Sequence, residues 1–145
     1  MMQMLRVGGA SLVAALALGA PAPAETWQPQ TESPVWAVTR EQLTQSGDLP
    51  ARPWLFMEGL HTPALRAAEY LADPTRTRMG VAFDGALLIQ KKDADNWAVR
   101  LVRMRALCYQ QRLQRLSAQG TWVDYLGRDD TSAKVQWICA LRPPG

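Results

Sequence analysis

The sequence predicts a small exported α+β domain, an antiparallel sheet with a C-terminal helix tied to it by one disulfide. Three observations point there: an apolar leader at the N-terminus, alternating residues bounded by turn signals after Met79, and two cysteines, Cys108 and Cys139, set in a strand-like and a helical stretch.

The leader comes first. Residues 1–6 carry a single positive charge on Arg6, and residues 7–18 form an apolar run. Ala22-Pro23-Ala24 supplies small residues at a cleavage site. This is the order of a signal peptide, with the mature chain beginning at Glu25. The apolar run falls well short of the roughly 20 residues that span a bilayer. No cysteine follows it, which excludes a lipoprotein anchor, and no later stretch is apolar enough to cross a membrane. Removing Arg6 lowers the formal charge from +3 by one. So small a surplus gives no basic face of the kind a nucleic-acid partner requires.

Residues 25–53 read as a proline-rich lead-in, with Pro29, Pro34, Pro50 and Pro53 and one apolar cluster, Val35-Trp36-Ala37-Val38. Thr39 and Gln42 form a capping box for a short helix that Gly47 ends. Trp27 and Trp36 argue for partial order, since a purely solvated tether would not carry them. The compact domain is expected over residues 54–145. Trp54-Leu55-Phe56-Met57 starts it as a strand ended by Gly59. Residues 62–71 read as a helix, with Thr62 as N-cap, Pro63 in the first turn and an alanine-rich body, stopped at Asp73-Pro74.

From Met79 the pattern turns to strands. Val81-Ala82-Phe83 and residues 86–90 flank Asp84-Gly85, which reads as a tight hairpin turn, and residues 91–96 form a polar connection. Residues 97–108 fit either one long helix continuing to Leu116 or a half-buried strand, and the turn signals flanking the next segments favour the strand. Val102, Met104, Ala106 and Cys108 alternate, but Trp97, Val99 and Leu101 have the opposite phase, so the strand reading needs a bulge near Leu101. Residues 112–117 and 121–126 follow as strands about the turn Ala118-Gln119-Gly120. Gly127-Arg128-Asp129-Asp130 is a loop. Asp130 or Thr131 caps a final helix that shows Val135, Ile138 and Cys139 on one face and stops at Pro143-Pro144.

Two cysteines in an exported chain allow one internal pairing, Cys108 with Cys139, against the alternatives of buried thiols or an intermolecular bridge. Closing some 30 residues would remove unfolded-state entropy worth roughly 3–4 kcal/mol. Two cysteines and the single His61 do not make a tetrahedral metal set, and nothing points to a cofactor.

The order of elements around Ala106-Leu107-Cys108, residues 112–116, Gly120-Thr121-Trp122 and residues 135–139 resembles the small exported bacterial domains grouped as surface-adhesin protein E-like and CNP1-like. Tyr70-Leu71-Ala72-Asp73-Pro74 is similar to that group's strand leading into an Asp-Pro turn. The resemblance spans roughly residues 54–141. It implies an antiparallel sheet, one disulfide and a place at the cell envelope with adhesion as the named activity, and it would make residues 70–73 a strand. It brings no catalytic residues.

The residues themselves offer little catalysis. His61 has no acid and nucleophile arranged about it in sequence, and Ser117 and Ser132 lie outside nucleophile-elbow contexts. Asp93-Ala94-Asp95-Asn96 lacks the glycine and bidentate glutamate of a calcium loop. That segment and Asp129-Asp130 read as solvated turns. Arginines are the better lead. Arg103 and Arg105 share a strand face with Arg100 nearby, and Arg112 and Arg115 lie on the next strand, so that paired strands would line one face with guanidinium groups able to grip anions. Trp122 and Tyr125 stand beside them, and Trp and Arg dominate interface hot spots. The expectation is a non-enzymatic interaction module, periplasmic or secreted, that binds an envelope or extracellular protein or an anionic polymer through Arg103, Arg105, Arg112, Arg115, Trp122 and Tyr125. The alternative is an assembly or scaffold subunit of a periplasmic or lumenal membrane complex, with the lead-in as docking arm.

Overall fold

The computed structural model describes residues 27–125 and 131–141; the leader and its cleavage site, the loop at 127–130 and Pro143-Pro144 lie outside them. The expected α+β architecture with one disulfide is present. A first helix, α1 (Pro34–Ser46), precedes six strands, β1 (Leu55–His61), β2 (Leu65–Arg76), β3 (Gly80–Lys91), β4 (Ala98–Leu107), β5 (Arg112–Leu116) and β6 (Trp122–Asp124). A second helix, α2 (Thr131–Ala140), closes the chain. The strands form one antiparallel sheet in sequence order.

Helix α1 starts earlier than its expected cap at Thr39. Ser33 is the cap, its hydroxyl accepting from the Trp36 amide, and Pro34 holds the first helical position. Gly47, at φ 86°, ends it as expected. The helix is not a loose lead-in: Trp36, Leu43 and, just beyond it, Leu49 are core.

Three local expectations are corrected. Residues 62–71 are not a helix. Thr62 turns the β1–β2 hairpin, its amide donating to the Leu65 carbonyl at 2.9 Å, and residues 65–71 are strand, which agrees with what the resemblance implied for residues 70–73. The side chains follow a period of two here: Ala68 and Tyr70 face one way, Glu69 and Leu71 the other. Lying between β1 and β3, the segment satisfies its backbone on both sides, and that pairing overrides a modest helix propensity. Asp73, at φ 55°, and Pro74 occupy an irregularity between Ala72 and Thr75, where a residue without an amide proton is tolerated.

Asp84-Gly85 is not a turn either. It lies in the middle of β3, opposite Ala72 and Leu71 on one side and Arg103 and Val102 on the other. The chain reverses instead at Thr77–Gly80, where the Thr77 amide donates to the Gly80 carbonyl. Nor does β4 contain a bulge. Its pairing with β3 runs unbroken from Ala98 to Leu107, and the change of phase has another cause. Trp97 and Val99 pack with α1 on one face, while Met104 and Ala106 pack with α2 on the other. Each helix covers a different end of a different face, so β4 is apolar on both sides but at different places.

The two cores follow from this. Trp36, Leu43, Leu49, Phe56, Ala68, Tyr70, Ala86 and Leu88 form one. Met57, Leu71, Val81, Phe83, Ala106, Leu113, Val135 and Ile138 form the other. Cys108 and Cys139 are joined, with their α-carbons 6.0 Å apart, and hold α2 to the end of β4. Arg76 adds a second tie, donating to the Cys139 carbonyl at 2.7 Å.

Candidate functional site

The register decides where the arginines go, and it divides them. Met104 pairs with Arg115, and Arg105 with Gln114. Arg103, Arg105 and Arg112 therefore share the α1 face of the sheet, while Arg100, Arg115 and the cavity-lining Tyr125 belong to the α2 face. The expected single array of guanidinium groups is not formed.

On the α1 face the arginines have partners. Arg103 donates to Asp84 Oδ1 at 3.2 Å, and Arg52 from the chain before β1 reaches the same carboxylate. Arg105 donates to Gln114 Oε1 at 2.8 Å and lies 4.5 Å over the Trp122 ring, a cation–π contact that half-buries the indole. Arg112 contacts both oxygens of Asp124, at 2.5 and 2.6 Å, and Gln114 donates to the same carboxylate. Hydrogen bonds from Gln114 and then Arg112 hold the Asp124 carboxyl below its usual range. Each of these arginines on the surface already has a hydrogen-bond acceptor, a carboxylate for Arg103 and Arg112 and an amide for Arg105.

The α2 face is different. Helix α2 buries Val135 and Ile138 against Val81, Ala106 and Leu113, and so covers only one end of it. The end toward Leu87, Gly85 and Val102 is open, and there the sheet floors a cavity of about 410 Å³. Met57, Phe83, Val102, Met104 and Leu113 supply its apolar surface. Gly85 deepens it. Its φ is not positive, so the backbone does not require glycine there, and an added Cβ would come within 3.2 Å of the Met104 sulfur. A glycine inside a strand commonly marks a close approach by another group.

Polar groups stand at the rim. Arg100 and Arg115 are exposed, and among the described residues neither makes an ion pair or a side-chain hydrogen bond. Tyr125 borders the same opening. Lys134, buried in the first turn of α2, lies 3.1 Å from Glu69 and 3.5 Å from Glu58 and sits 5.3 Å over the Trp27 ring. Trp27 donates to Glu58 at 2.5 Å and packs edge-on against Trp137. The lysine thus has two carboxylates beside it, and among the described residues the cations of the cavity without an ion pair are the two arginines.

Of the six residues singled out from sequence, Arg115 and Tyr125 meet at this cavity, whereas Arg103, Arg105, Arg112 and Trp122 lie on the opposite face. Sequence reasoning passed over Gly85, Lys134, Glu58 and the floor. A signal for one of them existed: Lys134 is the only charged residue in a ten-residue helix.

The remaining candidates stand apart. His61 is exposed at the end of β1. Ser117 accepts from the Thr121 amide, and Ser132 donates to Gln111. Asp93 and Asp95 are exposed in a turn, and Asp129-Asp130 lie outside the described residues. Among the described residues no group of three or more His, Cys, Asp or Glu is placed to hold a metal ion, and no helix is long and apolar enough to cross a membrane. Compared with family models, curated proteins and solved structures, the chain matches none.

Proposed function

We propose that the protein is an exported, non-enzymatic binding module of the bacterial cell envelope that receives its ligand in the cavity on the α2 face. The observation that carries this reading is the pairing of an apolar hollow with the two exposed arginines at its rim that lack partners among the described residues. A few polar groups converging on an apolar hollow is the usual composition of a binding site, and its volume falls within the roughly 300–1,000 Å³ of small-molecule sites. The leader, the oxidised cysteine pair and the resemblance to envelope domains support the compartment. Recognition of an anionic polymer by Arg103, Arg105 and Arg112 draws less support, because each guanidinium already has an acceptor. A scaffold role with residues 25–53 as a free docking arm is also less favoured, since Trp36, Leu43 and Leu49 are buried against the sheet.

Photo-crosslinking in cells tests the assignment. A photoreactive residue is placed at Val102 or Met104 in the cavity, and at Arg103 or Trp122 on the opposite face. Adducts on the exported protein, read by mass, are expected from the cavity positions. Adducts confined to Arg103 and Trp122 would refute the choice of face.

A further inference from the structure

We infer that the ligand of this cavity is a small amphiphilic carboxylate, a hydrocarbon chain bearing one anionic head. The inference rests on the assignment of the cavity as the binding site and goes further by naming the ligand's chemistry. Charge complementarity supplies the head. Arg100 and Arg115 are the cavity's cations with no ion pair among the described residues, whereas Lys134 is shared by the two carboxylates Glu58 and Glu69. A guanidinium presents the planar fork that fits a carboxylate, and beside an apolar wall such a pair is less screened than in open water.

The floor supplies the rest. Arg115 stands across from Met104, four residues along β4 from Arg100, so the α-carbons of the two arginines are roughly 14 Å apart, at about 3.3 Å per residue along the strand and about 4.8 Å between strands. Between them lie Gly85, Val102 and Met104, which offer hydrocarbon and no side-chain hydrogen-bond donor. A polyanion laid across this strip would find two donors and a desolvated gap. An acyl chain would fill the gap and keep its head at one end. At Gly85 the Met104 side chain lies against the sheet, so the floor there is hydrocarbon and thioether rather than a polar group.

The test uses the mature, disulfide-bonded protein and isothermal titration calorimetry with octanoate and decanoate below their micellar concentrations. Decanol and decylammonium serve as probes without the carboxylate. Decanoate is expected to bind in one-to-one stoichiometry, with affinity rising from octanoate by up to about fourfold per methylene. Reversing both rim charges (Arg100→Glu with Arg115→Glu) should weaken decanoate at least tenfold and leave decanol within twofold. Gly85→Val, which fills the floor, should weaken decanoate and decanol together. Circular dichroism and the urea midpoint confirm that each variant is folded, and Arg100→Gln with Arg115→Gln replaces the reversal if it is not.

No saturable decanoate binding, equal binding of decylammonium, or decanoate binding that survives the charge reversal would each overturn the inference. So would a protein-sized adduct at Met104 in cells, which would keep the cavity as the site while replacing its occupant. Absence of any cavity adduct together with no decanoate binding would remove both.

Discussion

Breaking the Cys108–Cys139 bridge should lower stability by an amount the chain itself sets. The cysteines are 31 residues apart. In the chain-entropy model, opening a loop of that length returns about 12 cal/mol/K to the unfolded ensemble, or about 3.7 kcal/mol at 25 °C. For a domain of this size, with a urea m-value of about 1.5 kcal/mol/M, the midpoint should fall by roughly 2.5 M in the double variant Cys108→Ala, Cys139→Ala. The structure adds where the loss should be felt first. Helix α2 is ten residues long and fully buries only Val135 and Ile138 against the sheet, so without the staple its docking rests on those contacts, Trp137 and the Lys134 pairs. Urea unfolding followed by far-UV and near-UV circular dichroism is the assay. The near-UV signal of Trp27 and Trp137, which pack 5.5 Å apart beside α2, should be lost at lower urea than the signal of the sheet. A midpoint shift below about 0.7 M would refute the argument that the bridge acts by restricting the unfolded chain, and two coincident transitions would refute separate loosening of α2.

Other expectations follow from the same packing. Trp36→Ala removes a buried ring that packs on Phe56 and Trp97 and should cost about 3–5 kcal/mol by urea titration; a cost under about 1 kcal/mol would mean that α1 is peripheral after all. Lys134→Met removes the ammonium that Glu58 and Glu69 share and should cost about 3 kcal/mol at pH 7 by urea titration; a cost under about 1 kcal/mol would mean that these pairs do little to dock α2. Glu32 accepts two hydrogen bonds from Arg40, each 2.9 Å, and a third from the Tyr70 hydroxyl. Chiefly through the Arg40 hydrogen bond, its carboxyl is held below its ordinary range. The stabilisation is therefore complete above the unfolded-state value of about 4.3 and is lost as pH falls through the lower folded value. Glu32→Gln should flatten that acid limb in a pH series of thermal midpoints, and an unchanged limb would count against the assignment.

Some of this was readable directly from residue order. The Gly47 helix stop, the Ala118-Gln119-Gly120 turn, the strand at 112–116 and the terminal helix with Val135 and Ile138 inward all rest on local chemistry: a left-handed position that suits glycine, a period of two or 3.6. The cysteine pairing was readable because two cysteines allow only one internal bond. Residues 62–71 and Asp84-Gly85 were misread for one shared reason. Alanine propensity and an Asp-Gly pair are weak local preferences, and in this fold both lie in strands flanked on both sides, where two rows of backbone hydrogen bonds outweigh them.

The candidate site depended on information of another kind. Which arginines share a face is a matter of parity, and parity is set by the register between β4 and β5, where a shift of one residue would exchange Arg115 with Gln114. The phase change along β4 looked like a bulge because nothing near Leu101 in sequence reveals that one helix covers one face at one end and a second helix the other face at the other. Residue types and their spacing were enough to establish a sheet-based, stapled domain rich in arginine. Only long-range pairing decided that Arg103, Arg105 and Arg112 would meet acceptors, and that Arg100 and Arg115 would stand over a hollow floored by Gly85. Local preferences act over a few residues, whereas a binding surface is assembled from strands and helices whose positions are fixed by burial against one another.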